Sequence, residues 1–106
     1  MDDEIVTINE VFNTEPGIYF YQDKRIGGWV AYGYSAYMLS QISGINHLTG
    51  FSERMQMPCV CIADIDFKKL VRENAKSIIC KDGWYYLPVK KTIDSEIYNN
   101  WVKKVR

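Results

Sequence analysis

An aromatic-rich segment, residues 17–39, constrains the fold more than any other part of the chain. Residues 18–21 are apolar or aromatic and favour a buried strand. Residues 22–28 hold the charged and glycine residues typical of a turn, and residues 29–32 have the composition of a returning strand. Ser35 then stands where a helix N-cap is expected. The segment therefore predicts a β-hairpin followed at once by a helix.

The rest of the chain alternates between helical and strand patterns. Helices are predicted at residues 3–13, 35–43, 66–74 and 94–104, and further strands at residues 59–63, 77–80 and 84–87. In the first helix, the β-branched run at residues 5–8 would also suit a strand, but the spacing of the apolar residues favours a helix. The alternation predicts an α/β (α+β) fold, in which one mixed β-sheet has helices packed around it.

Local signals predict how several elements begin and end. Asp66 and Asp94 stand at N-cap positions, and Asp66 as a cap would pair Ile65 with Leu70 as a hydrophobic staple. Asp82-Gly83 predicts a two-residue hairpin turn. Residues 45–57 have no strand or helix pattern and predict a loop.

The composition indicates a single domain, residues 1–106. Hydrophobic residues make up 47% of the chain, enough for one core. No apolar run reaches the ~18 residues that a membrane-spanning helix needs. The acidic start lacks the basic region of a secretory signal, and the three cysteines are a poor disulfide framework. We therefore expect a cytoplasmic protein without membrane association.

Charge is balanced over the whole chain but unevenly distributed along it. Lys plus Arg and Asp plus Glu both number 13. Residues 1–16 hold five acidic residues and no basic one, whereas residues 67–91 hold seven basic residues against two acidic ones. The zero net charge argues against strong non-specific nucleic-acid binding. The uneven distribution leaves open a basic contact face or ordinary solvated faces.

Several short motifs follow one another in a fixed order between residues 18 and 82. They are Phe20-Tyr21, Ser35-Ala36, Gly44-Ile45-Asn46-His47-Leu48-Thr49, Pro58, Leu70-Val71 and the segment 76–82. In this order they resemble the amino-terminal domain (domain I) of the MutS mismatch-repair proteins. The resemblance implies the fold of that domain for residues 18–82, to which residues 84–105 would add a hairpin strand and a helix.

In the MutS family, this domain contacts mismatched DNA through two residues. A phenylalanine stacks on the mispaired base, and a glutamate two residues later hydrogen-bonds it. An alignment on the glycine pair 27–28 places Trp29 and Ala31 at these positions, and an alignment on the helix start places Gly28 and Val30 there. Neither alignment supplies a carboxylate. The resemblance therefore implies a stand-alone domain with this fold, but it does not imply mismatch recognition.

The candidate contact residues lie in the first hairpin and on the third helix. They are Lys24, Arg25, Trp29, Tyr32, Lys68 and Arg72. The hairpin residues would hold a base or a protein partner by charge and by ring stacking. The two helix residues share an outward face because four positions separate them. Such a surface requires Trp29 and the turn 23–28 to be exposed, whereas the alternative is that most aromatic residues pack in the core.

No motif predicts catalysis, a metal or a cofactor. Cys59 and Cys61 face one side of a strand, but they lack the Cys-x2-Cys spacing typical of zinc sites. The local sequence fixes no nucleophile beside His47. Helix capping accounts for Asp64 and Asp66 better than magnesium binding does. We therefore expect a non-enzymatic protein without a cofactor.

Two functions are consistent with these patterns. The first is a non-enzymatic interaction module that holds a partner through residues 23–32, with nucleic acid as one candidate partner, which the MutS resemblance and the basic, aromatic-flanked turn favour. The alternative is a protein-binding or self-associating domain, which the zero net charge, the missing glutamate and the amphipathic last helix favour. The sequence leaves the oligomeric state open.

Overall fold

A computed structural model describes residues 3–11, 17–81, 83–89 and 94–106. Within these residues, helices and strands alternate along the chain. They are α1 (Asp3–Val11), β1 (Gly17–Asp23), β2 (Gly28–Tyr32), α2 (Gly33–Ser40), β3 (Leu48–Ser52), β4 (Met57–Ala63), α3 (Asp64–Glu73), β5 (Ile79–Lys81), β6 (Trp84–Pro88) and α4 (Ser95–Val105). The predicted fold class, helices packed on one sheet, is confirmed. None of the helices in these ranges has the length and hydrophobicity needed to span a bilayer.

The six strands form one sheet in the order β3-β4-β2-β1-β6-β5. All five described pairings are antiparallel, so the prediction of mixed strand directions needs correction. A helix alone between β2 and β4 would make these neighbours parallel. The predicted loop at residues 45–57 instead contains β3, and this extra strand turns the chain back before β4 begins. The two predicted hairpins, β1–β2 and β5–β6, are confirmed.

The two sides of the sheet have different covers. On the helix face, side chains that include Phe20, Trp29 and Val60 pack against α2 and α3 in the larger core. On the opposite side, here called the tyrosine face, Tyr21, Val30 and Tyr32 pack with Val6 of α1. Because side chains alternate along a strand, neighbouring residues of β2 belong to different cores.

The starts of α2 and α3 differ from the predictions. Tyr32, and not Ser35, is the N-cap of α2, because β2 runs directly into this helix. The Ser35 hydroxyl accepts the Tyr19 backbone N–H at 3.0 Å, and the Ser35 N–H donates to Glu10 Oε1 at 3.1 Å. Ser35 thus joins α2 to both β1 and α1.

Helix α3 likewise begins without a loop, and Ala63 is its N-cap. Asp64 and Asp66 both lie in its first turn, where their charges suit the positive end of the helix dipole. Ile65 is 77% exposed, so the predicted hydrophobic staple is wrong. Helix α1 confirms the helical interpretation of the first segment, although its predicted end at 12–13 and the turn residue Asp82 lie outside the described residues.

The predicted cap of α4 is confirmed. Asp94 Oδ1 accepts the backbone N–H groups of Glu96 at 2.8 Å and of Ile97 at 3.4 Å. We expect Asp94→Ala to lower the free energy of unfolding by about 1 kcal/mol, because these helical N–H groups lose their acceptor. Urea denaturation would measure the loss. Asp94→Asn keeps an acceptor oxygen and should change stability little, so equal losses in the two variants would contradict this role.

Candidate functional site

The turn between β1 and β2 exposes two of the candidate contact residues, Lys24 and Arg25. Arg25 Nη2 lies 3.2 Å from Asp23 Oδ2, and the Arg25 backbone N–H donates to Asp23 Oδ1 at 3.0 Å. The hydrogen bond from the Arg25 side chain holds the pKa of Asp23 below its ordinary value. The turn therefore presents Lys24 to solvent, whereas the charge of Arg25 is balanced by its neighbour.

Trp29 is buried, so the expectation that it is exposed is wrong. Its side chain is only 8% exposed, and its ring stacks on Phe67 with ring centroids 3.9 Å apart. Tyr85 meets the same ring edge-on at 5.4 Å. The indole N–H donates to Asp64 Oδ1 at 2.9 Å, and this bond lowers the pKa of Asp64. Trp29 lies on the helix face, where α3 covers it.

Tyr32 is also buried, at 4% exposure, but on the tyrosine face. Its ring lies 6.1 Å from that of Tyr21, and burial raises its pKa. Residues three apart on a strand point to opposite sides. Trp29 and Tyr32 therefore do not form one surface with the turn. Contact of either ring with a partner molecule stays a prediction, and it would require the core around that ring to open.

Lys68 and Arg72 lie on the solvent side of α3, and both are exposed. Lys68 Nζ is 2.9 Å from Asp64 Oδ2, one helical turn earlier. The same carboxylate accepts the indole N–H of Trp29. Asp64 therefore links the exposed side of α3 to the aromatic core.

Strand β3 forms a surface that the sequence did not predict. It lies at one edge of the sheet, and its sequence, LTGFS, has neither a charged residue nor a proline. Leu48 is 77% exposed. Beside it is a depression of about 370 Å³, lined by residues that include Ile26, Leu48, Ile62 and Ala63. This surface, here called the β3 edge site, combines the exposed first half of β3 with an apolar depression. Farther along β3, α4 packs beside the strand, and the Arg106 guanidinium lies 5.0 Å from the centroid of the Phe51 ring.

Three polar side chains border the β3 edge site. His47 and Asp66 line the depression together with Asn46. Within the described residues, no group of three or more His, Cys, Asp or Glu side chains is arranged to hold a metal ion. The lining of the depression thus combines apolar side chains with three polar ones.

No family model, curated protein or solved structure matches this chain. The resemblance to MutS domain I therefore stays a prediction from short sequence motifs.

Proposed function

We propose that this domain is a non-enzymatic protein-interaction module, which binds an extended segment of a partner protein along β3. The observation that carries the proposal is an edge strand that has no charged residue, is exposed at Leu48 and Thr49, and lies next to an apolar depression. A peptide that adds a strand to such an edge gains backbone hydrogen bonds, and pockets beside the edge select its side chains.

The two edges of the sheet differ in how far they resist strand addition. Proteins commonly protect edges by short strands, charges, prolines or bulges. Strand β5 has three residues and ends in Lys81, so it has two of these features. Strand β3 has five residues and none of the charges or prolines. Leu48 and Thr49 are exposed, whereas Gly50 to Ser52 are partly covered. The first half of β3 is therefore the more accessible part of this edge.

The depression favours an apolar side chain on the bound segment. Ile26 is 53% exposed and Leu48 77% exposed, and both lie at the depression. Burying their exposed apolar surface is favourable by about 25 cal/mol per Å². Because side chains alternate on an added strand, every second residue of the segment would face this side.

A second copy of this chain fits the site less well than another protein does. In a symmetric antiparallel pairing of all five residues of β3, Leu48 of one copy lies opposite Ser52 of the other. Glu53 of the second copy, the residue after Ser52, would then lie beside the depression of the first copy, which Asp66 already lines. An acidic residue there gains no apolar contact and meets a like charge. The site is therefore better suited to a partner with an apolar residue.

The test begins with a displayed library of random dodecapeptides selected on the intact protein. We expect the selected peptides to be rich in β-branched and apolar residues. Leu48→Lys and Ile26→Lys should each weaken their binding at least about tenfold, or about 1.4 kcal/mol, by calorimetry. Ile97→Lys on α4 is the matched control, since Ile97 is also an exposed apolar residue at 54%. Equal affinities for all three variants would exclude the β3 edge site, and a concentration-dependent dimer sensitive to Leu48→Lys would favour self-association instead.

Association with nucleic acid is a second proposal, which the exposed Lys24 and the neighbouring Arg25 favour. The internal ion pair of Arg25 and the zero net charge limit the attraction for phosphates. Fluorescence anisotropy with labelled single-stranded and duplex DNA at low salt would test it. Absence of binding at tens of micromolar protein would remove this proposal and leave the first intact.

A further inference from the structure

Helix α1 places apolar side chains on the side that faces solvent. Ile5 is 38% exposed, Ile8 48% and Val11 68%. Successive members of this set are three positions apart, so they form one row along the helix. This row is here called the α1 stripe. Contiguous apolar side chains on a surface commonly mark contact with another molecule.

The opposite side of α1 attaches to the rest of the domain largely through polar groups. The Asn9 amide donates to the Tyr21 hydroxyl at 3.0 Å, and Glu10 Oε1 accepts the Ser35 backbone N–H at 3.1 Å. Val6 is the one fully buried apolar residue of α1 in the core of the tyrosine face. A helix that only completes a domain core has its apolar stripe inward and its polar residues outward. In α1 this arrangement is largely reversed.

The polar contacts determine which side of α1 faces outward. A turn of the helix about its axis that buried Ile5 and Ile8 would break the bonds of Asn9 and Glu10. The Ser35 N–H lies at a fully buried residue, so it would lose its acceptor away from water, which is costly. The α1 stripe therefore stays on the surface while the domain is folded.

Negative charge surrounds the α1 stripe. Glu4 is exposed, and it precedes Ile8 by four positions and Val11 by seven, so it lies on the same face of the helix. Residues 1–16 contain five acidic residues and no basic one. Arg54 pairs with Asp3 at 3.3 Å and offsets one of these charges. A partner with positive charge beside its apolar residues is therefore favoured.

We propose that the α1 stripe binds a basic amphipathic helix of another protein. The apolar side chains of that helix would pack on Ile8 and Val11, and its Lys or Arg side chains would lie near Glu4. In an antiparallel pair, the last turn of the partner helix lies beside the first turn of α1, which holds Asp3 and Glu4. Basic residues in that last turn would also suit the dipole of the partner helix.

This contact is separate from the β3 edge site. None of the described residues of α1 lines the depression beside β3. The two sites also select different partners, since an edge strand takes an extended segment and the α1 stripe takes a helix. The inference about α1 therefore does not depend on the function proposed for β3.

A second copy of this chain suits the α1 stripe less well. In a symmetric antiparallel pairing about Ile8, Ile5 of one copy lies opposite Val11 of the other, and both helices are acidic. A helix of nine residues is about 13 Å long, too short to supply alone the ~800 Å² per partner of a standard interface. Like charges would weaken this small contact further, whereas a basic partner adds attraction.

The test uses the intact protein and a synthetic peptide of about 15 residues, with leucine at helical spacing and lysine at the other positions. Calorimetry should show binding that weakens as salt is raised, because salt screens the attraction between the two charged helices. The same peptide with glutamate in place of lysine should bind at least about tenfold more weakly.

Two variants of the stripe and two matched controls locate the binding site. Ile8→Gln and Val11→Gln should each weaken binding of the lysine peptide at least about fivefold, because a packed apolar side chain is lost. Ile65→Gln on α3 and Ile97→Gln on α4 replace apolar residues that are 77% and 54% exposed, and they should leave the affinity unchanged. Circular dichroism checks that each variant folds like the parent.

Three results would overturn the proposal. One is equal affinity of the lysine peptide for Ile8→Gln and Ile97→Gln, and another is a glutamate peptide that binds as well as the lysine peptide. The third is a concentration-dependent dimer of the parent that Ile8→Gln abolishes in sedimentation, which would place a second copy on the stripe. Leu48→Lys should leave binding of the lysine peptide unchanged, so failure of the β3 proposal and failure of this one are distinguishable.

Discussion

Trp29→Ala is expected to lower the free energy of unfolding by about 3–5 kcal/mol, as removal of a buried aromatic ring commonly does. The ring is 8% exposed, stacks on Phe67 at 3.9 Å and meets Tyr85 at 5.4 Å. Its removal leaves a cavity between β2, α3 and β6 and deprives Asp64 of an indole donor. A domain of this size has a total stability of about 5–15 kcal/mol, so this loss is a large fraction of it. Urea denaturation followed by circular dichroism measures the change.

Two further variants show whether the ring acts through packing. Trp29→Phe keeps an aromatic ring against Phe67 but loses the indole N–H, so we expect a smaller loss of about 1–2 kcal/mol. Ile26→Ala, in the exposed turn of the same hairpin, should stay within about 0.5 kcal/mol of the parent. A loss below about 1 kcal/mol for Trp29→Ala would contradict the buried position and return this ring to the candidate contact surface.

Gly28→Ala is expected to destabilise the protein by about 3 kcal/mol, because the new methyl group has no space. A Cβ on Gly28 would overlap the carbonyl oxygen of Ile62 and lie 3.3 Å from its carbonyl carbon. These atoms belong to the backbone of β4, which pairs with β2 along its whole length. Relief of the overlap would separate the two strands at the centre of the sheet, so the cost cannot be avoided by turning a side chain.

Gly27→Ala is the matched control for this prediction. Gly27 precedes Gly28 in the same turn, but a Cβ there meets no atom within 4 Å. Its φ of +64° is unfavourable for alanine, so we expect a loss of about 1 kcal/mol from backbone strain alone. Denaturation of both variants by urea gives the comparison. Equal losses would show that backbone conformation, and not the close approach of β4, accounts for the glycine at position 28.

Several features of the fold could be predicted because they depend on neighbouring residues. The helical spacing of residues 3–11, the cap at Asp94 and the turn between β1 and β2 are local patterns, and the structure confirms them. Strand β3 was missed because its residues have no clear apolar alternation. That alternation is weak because β3 lies at an edge of the sheet, with Leu48 in solvent and only one neighbouring strand.

In the candidate site, too, some features follow from local sequence and others from the tertiary structure. The period of two along a strand predicts that Cys59 and Cys61 share a side, and it would also have separated Trp29 from Tyr32. Nothing local indicates that Ile26 and Leu48, from different hairpins, meet at one depression. Nor does any local pattern bring Arg54 and Gly50 to the cysteines. The proximity of these residues depends on strand order and register, which are decided by contacts between segments that are distant in the sequence.

The aromatic hairpin of residues 17–32 separates what the local sequence decides from what the tertiary structure decides. Its sequence alone determined two strands, a turn and the helix that follows, because propensity and turn chemistry act within a few residues. The tertiary structure alone decided which rings are hidden. Helix α3 covers Trp29 on one side and α1 packs beside Tyr32 on the other, while Lys24 remains in solvent. Burial is a property of what packs against a residue, and the covering helices α1 and α3 lie outside the hairpin, so the hairpin sequence does not specify them.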